Sequence, residues 1–373
     1  MSHLRAVRTD PPPEPALVER LAAAGARLRE TDGRRVAVDF GDPAREHAAV
    51  RETVGIGVRD RLFTRFAGPH ATRFLHGMVT QDVAGLGVGD ARYALMLTPK
   101  ARVVADLRLL RLTDEVLVAD TEPGGTAALR TTLLRYRLGS RLTIEPLEDW
   151  ACLAVAGPKA GMLLLDAFGV LPRVDPPEGS VTLLEVDGTP LHAVSSALYG
   201  EKAVEILGPA AAVSAAWAVL VPLLERHGGA PFGTGTEEIL RVEAGVPRQG
   251  AELDEQVMPA EVGVVERAVS FTKGCYIGQE PVARLHYRGH ANRVLRSLLL
   301  DGRPPARGAE VLLDGKVVGR VTSAVHSPAV GRTLALGVLR RELEDGRRVL
   351  VAEEGSERSA EVGPVPAYSW RQG

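Results

Sequence analysis

Cysteine and aromatic side chains are scarce in this chain. Only Cys152 and Cys275 occur among 373 residues, which excludes both a disulfide framework and a Cys-x-x-Cys metal knuckle. Phe, Trp and Tyr together make up 4%, a poor supply for a platform on which nucleic-acid bases would stack. No run of about 18 uncharged apolar residues is present, so no membrane span is expected. The formal charge of −2 provides no bulk field for coating nucleic acid or anionic membrane. Lysine is rare as well, and the arginine that replaces it is spread along the whole chain, a compositional bias with no phosphate site attached. Pro11, Pro12, Pro13 and Pro15 followed by a charged stretch lack the apolar core of a secretory signal. Together these absences point to a soluble protein of a reducing cytoplasm.

Enzyme signatures are also missing. No Gly-x-Gly-x-x-Gly opens a helix after a strand, no Walker-type loop occurs, and Ser195 and Ser196 lack a Gly-x-Ser-x-Gly setting. His286 and His290 have the spacing of a metal pair, but the glutamate of His-Glu-x-x-His is absent, so no metal site is expected.

What is present is a chain long enough for two or three domains. Apolar spacing predicts helices over 16–30 and 43–53, with Arg35–Phe40 alternating like a strand between them. Strands follow at 62–67, 92–97, 102–112 and 116–120, with helices near 69–80 and over 124–138. A second set starts at Cys152 and includes a hairpin turned at Asp187-Gly188, a strand over 202–207 and a helix over 209–226. Thr234 and Glu237 have the spacing of a capping box for a helix closed by Gly245. After about residue 290 only short strands separated by turn residues remain, as in a small β-barrel. The pattern is α+β: two units with antiparallel sheets, over 1–150 and 151–290, and a C-terminal barrel over 291–373.

Three features carry chemistry. Lys273-Gly274-Cys275-Tyr276-Ile277-Gly278-Gln279-Glu280 sets a thiol beside a cation on glycine-bracketed backbone. Cys275 is either an activated thiolate or a small apolar residue, whereas Cys152, in an apolar run, reads as core. Asp106 and Glu205 each interrupt an apolar strand, as solvated or satisfied structural acids or as acceptors for the paired N–H groups of an amino-pyrimidinone. Arg284, His286, Arg288 and His290 alternate, so an extended chain would put them on one face, either to meet a polyanion or as a solvated edge.

Together these segments resemble the aminomethyltransferase (glycine cleavage T-protein) superfamily, specifically its YgfZ branch of folate-binding proteins. The octapeptide at 273–280 is similar to that branch's signature. Weaker support comes from Gly68-Pro69-His70-Ala71, Tyr93–Leu97, Leu240–Gly245 and Gly319–Ala324. The resemblance implies a three-domain ring of two α+β, ferredoxin-like units and a barrel around tetrahydrofolate. Tyr93, Asp106, Glu205, Arg241 and Arg284 would hold the folate, and Cys275, Lys273 and Asp106 would carry the chemistry. It implies an accessory role in iron–sulfur cluster assembly or repair, with iron–sulfur apo-proteins or assembly factors as partners and an indirect effect on tRNA modification. The alternative is an aminomethyltransferase passing a one-carbon unit to tetrahydrofolate. Departures from T-proteins are Ala105-Asp106 in place of paired aspartates and Glu237 in place of a folate-site arginine.

Overall fold

The computed structural model describes residues 15–172, 179–196, 199–353 and 355–367. Its architecture is α+β with a closed C-terminal barrel. The opening helix, Pro15–Ala23, is shorter than the predicted 16–30. Gly25 at φ +90° ends it, a conformation that favours glycine, and Arg27–Thr31 then pairs with Arg34–Asp39 as a hairpin. Helix Pro43–Glu52 follows, with Pro43 in its first turn and the Asp42 carboxylate accepting from the Arg45 N–H at 3.0 Å.

Two sheets form the body. In the five-stranded one the order is Ala91–Leu97, Val103–Arg111, Val116–Thr121, Leu62–Ala67, Thr143–Pro146. In the six-stranded one it is Val181–Val186, Thr189–Ser196, Ala203–Pro209, Trp150–Ala156, Gly55–Arg59, Ala230–Pro231. The sheets do not divide at residue 150, because Gly55–Arg59 pairs with Trp150–Ala156 across that boundary. The chain leaves the six-stranded sheet after Arg59, builds the five-stranded sheet, and returns at Trp150. The Asp187-Gly188 hairpin forms as the sequence predicts, with Val186 opposite Thr189 and both turn residues at positive φ.

The sheets pack through Phe63, Leu110 and Val118 on one side and Cys152, Val194 and Leu207 on the other. Burying each large apolar side chain in this layer contributes about 1.5–3 kcal/mol. Helix Ala210–His227 lies on the six-stranded sheet, and helix Pro123–Tyr136 packs on the five-stranded one. The barrel closes in the order 293–300, 332–340, 316–327, 310–313, 348–353, 356–363 around Leu298, Val311, Leu339, Val351 and Val362.

Two local readings change. Arg284–His290 is not extended: Gln279–Arg288 is a helix, with Val282 and Leu285 inward at i, i+3, so the alternation of basic residues defines no single face. Helix Thr234–Ala244 forms and ends at Gly245, φ +64°, but no capping box opens it. Glu46 caps it from outside, accepting from the Gly233 N–H at 3.0 Å and the Thr236 hydroxyl at 2.7 Å, which leaves Glu237 for another partner. Among the described residues, no helix is long and apolar enough to cross a membrane.

Candidate functional site

Strand periodicity builds the site. Side chains two residues apart share a face, so Asp106 and Arg108 follow Leu110 into the space between the sheets, Asp120 follows Val118, and Glu205 follows Leu207. Arg59, directly opposite Cys152 in the ladder, joins them. The inter-sheet layer is thus apolar at one end and ionic at the other.

At the ionic end lies a small cavity of about 50 Å³ that opens to solvent. Its wall includes Tyr93, Asp106 and Arg108 from the five-stranded sheet, Glu205 from the six-stranded one, Arg59 and Arg61 where the chain crosses between them, and Arg267. In all, six arginines face four carboxyl groups. Arg59 donates through Nη1 to Glu205, through Nε to Glu237 at 2.8 Å and through Nη2 to Glu122 at 3.5 Å. Arg108 holds the other Glu205 oxygen and donates through Nε to Asp120 at 2.9 Å. Arg61 bonds Asp120, and Glu122 at 2.7 Å. Burial would raise the Glu205 carboxyl, but Arg108 and Arg59 outweigh it and hold Glu205 well below the usual carboxylate range. The Cys152 thiol lies 3.8 Å from Glu205 and is pushed well up by burial, so it stays protonated.

Asp106 has a different environment. Its Oδ2 accepts from the Tyr93 hydroxyl at 3.2 Å, while its buried Oδ1 has no partner among the described residues. Burial pushes its carboxyl up to about 6, with Arg61 pulling the other way. The strand is fixed there from behind. Its neighbour Val116–Thr121 stops pairing at Arg108 opposite Asp120, and the Gln249 side chain closes the exposed edge, accepting from the Asp106 N–H at 3.2 Å and donating to the Val104 carbonyl at 3.3 Å. Arg267 lies over the Tyr93 ring at 4.4 Å. The Ser196 hydroxyl, also on the cavity wall, has no partner among the described residues.

Tyr93, Asp106, Glu205 and Arg241 therefore share one cavity wall, but Arg241 has no donor left for a ligand. Its five N–H groups are committed to Glu238 (2.8 and 2.6 Å), Glu252 (2.9 Å), the Val246 carbonyl (2.7 Å) and Ser323 of the barrel (2.5 Å). It clamps helix, loop and barrel together. Arg284 is exposed on its helix and is not on the cavity wall.

The octapeptide is also outside the cavity. Lys273 does not serve the thiol. Its ammonium donates to the carbonyls of His76 and, at 2.7 Å, Val79, at the C-terminal end of helix Ala71–Met78, where a cation complements the helix dipole. Burial lowers the Lys273 amine to about 8. Tyr276 is buried, and Gly278 sits at φ +84° where a Cβ would meet the Thr98 carbonyl oxygen at 2.5 Å. Cys275 is exposed. Sequence reasoning missed Arg59, Arg61, Arg108, Asp120 and Glu122. The readable signal was an ionisable residue two positions from another inside an apolar strand, as in Asp106-Leu107-Arg108.

A family model described as GCVT N-terminal domain matches residues 17–273. The chain belongs to that family. A second model, described as Glycine cleavage T-protein C-terminal barrel domain, matches 293–369, the segment seen as the closed barrel. A protein named Aminomethyltransferase from Rubrobacter xylanophilus is 33% identical over 362 residues, covering 94% of this chain and 93% of its own. Another of that name from Symbiobacterium thermophilum is 31% identical, covering 92% and 94%. The crystal structure of glycine cleavage system aminomethyltransferase T from Bartonella henselae superposes with a TM-score of 0.83 at 24% identity, covering 94% of this chain and 96% of that one, and so shares the fold.

These relatives overturn the iron–sulfur reading. Similarity over nearly the whole chain runs to proteins named aminomethyltransferase. Within the octapeptide, Lys273 bonds two backbone carbonyls, Tyr276 is buried and Gly278 turns where backbone comes close. The accessory role, its iron–sulfur partners and the tRNA effect are set aside.

Proposed function

We propose that this protein is an aminomethyltransferase that passes a one-carbon unit to tetrahydrofolate. The observation that carries this reading is Asp106: a buried carboxyl with one oxygen unpartnered, titrating near 6, on the wall of a cation-rich cavity. A carboxyl near neutrality that retains a free acceptor is equipped to take a proton from, or orient, a nitrogen that gains a bond to carbon. Tyr93 fixes its rotamer and Gln249 its backbone. Glu205, ionised throughout the neutral range, supplies acceptors for the amino-pyrimidinone edge.

Binding is tested by thermal shift. Tetrahydrofolate at 100 times its dissociation constant stabilises the fold by about 2.7 kcal/mol. No shift at saturating concentrations overturns the reading.

A further inference from the structure

Three carboxylates, Glu205, Glu237 and Glu122, converge on the guanidinium of Arg59 at the cavity wall. Glu205 has little acceptor capacity to spare. One oxygen takes Arg59 and lies 3.8 Å from the Cys152 thiol, and the other takes Arg108. A guanidinium presents paired, coplanar N–H groups, and so does the N–C–N edge of a 2-amino-pyrimidin-4-one. Here Arg59 and Arg108 take one Glu205 oxygen each, so an edge that needs both oxygens has to displace them, Arg59 onto Glu237 and Glu122 and Arg108 onto Asp120.

We infer that Arg59 is the specificity-determining residue of this site. It occupies one of the two Glu205 oxygens that a pterin edge takes, and it stays on Glu237 and Glu122, which it already bonds, when that edge binds. Those two carboxylates keep the guanidinium paired after displacement, so no buried charge is left alone. Heterocycles lacking the paired donors cannot compete with Arg59 and are excluded. The inference rests on the folate reading, since it takes a pterin as the displacing group.

The test is equilibrium binding of pterin (2-amino-4-oxopteridine) to wild type, Arg59→Ala and Arg59→Lys, with low-millimolar guanidinium chloride as competitor and urea as the matched control. If Arg59 holds Glu205 nine-tenths of the time, its removal tightens pterin binding about tenfold. Guanidinium, but not urea, then raises the melting temperature of Arg59→Ala and competes with pterin. Arg59→Lys retains a charge for Glu237 without the fork, so an intermediate gain is expected, which keeps the test open if Arg59→Ala does not fold. Pterin affinity equal to or below wild type in the folded variants overturns the inference. Combined with wild-type turnover of tetrahydrofolate, that result would overturn displacement alone and leave the function standing.

Discussion

The loop at 273–280 and the ionic end of the inter-sheet layer make opposite impressions in sequence and in space. The loop is conspicuous as a string and ordinary as structure: an ammonium on two helix carbonyls, a buried tyrosine, a glycine where backbone comes close. The ionic layer is inconspicuous as a string, single charged residues scattered from Arg59 to Glu237, yet it gathers into one cavity. Unusual composition marks a backbone constraint as readily as a reactive group. A charge inside an apolar strand must instead be satisfied across the fold, so it marks a place where elements converge.

The widest gap between the two regions is expected in catalysis. Asp106→Asn removes the proton acceptor and lowers turnover by about 10²- to 10⁴-fold, and wild-type activity rises with pH through about 6 as Asp106 ionises. Stability moves the other way. The folded carboxyl titrates at about 6, above its ordinary value, so the folded state holds the proton more tightly than the unfolded chain. That stabilisation is present below about pH 4 and is lost as pH rises through 6. Asp106→Asn is therefore more stable than wild type at neutral pH, by on the order of 2–3 kcal/mol, with the difference vanishing in acid. Urea titrations at pH 4 and 7.5 measure it.

Next in size, Glu205→Ala removes one carboxylate shared by Arg59 and Arg108, which keep Glu237, Glu122 and Asp120 as partners, and costs about 1.5–3 kcal/mol in unfolding free energy. A smaller effect is expected in the loop: Gly278→Ala meets both a positive φ and the Thr98 carbonyl and costs about 1–3 kcal/mol, read as a lower melting temperature with turnover retained at low temperature. Smallest of all, exposed Cys275→Ser changes stability by less than about 0.5 kcal/mol. A large loss of activity there would erase the contrast between the regions.

Much of the fold was legible from periodicity. The strands read at 102–112 and 152–156, the Asp-Gly hairpin and the barrel follow from apolar runs and turn chemistry, which are local. The return of the chain across residue 150 was hidden, because pairing of Gly55–Arg59 with Trp150–Ala156 leaves no local trace. Of the site, Asp106 and Glu205 were readable as polar breaks in apolar strands, while Tyr93 came only from the family resemblance. Arg241 also came from the resemblance, and the consumption of its donors by Glu252 and Ser323 leaves no local trace in the sequence. The extended reading of Arg284–His290 failed because alternation over a few residues was taken as strand where Gly278 and Gly289 bound a helix. The arginine cage was missed for a related reason: arginine is so common in this chain that only its partners distinguish Arg59, Arg61 and Arg108.

The most direct measurement is formation of methylenetetrahydrofolate from tetrahydrofolate and an aminomethylated lipoyl carrier, with wild type, Asp106→Asn and Cys275→Ser assayed together. Wild type and Cys275→Ser are expected to turn over alike while Asp106→Asn is nearly inactive. Loss of product formation in Cys275→Ser with activity intact in Asp106→Asn would contradict the account.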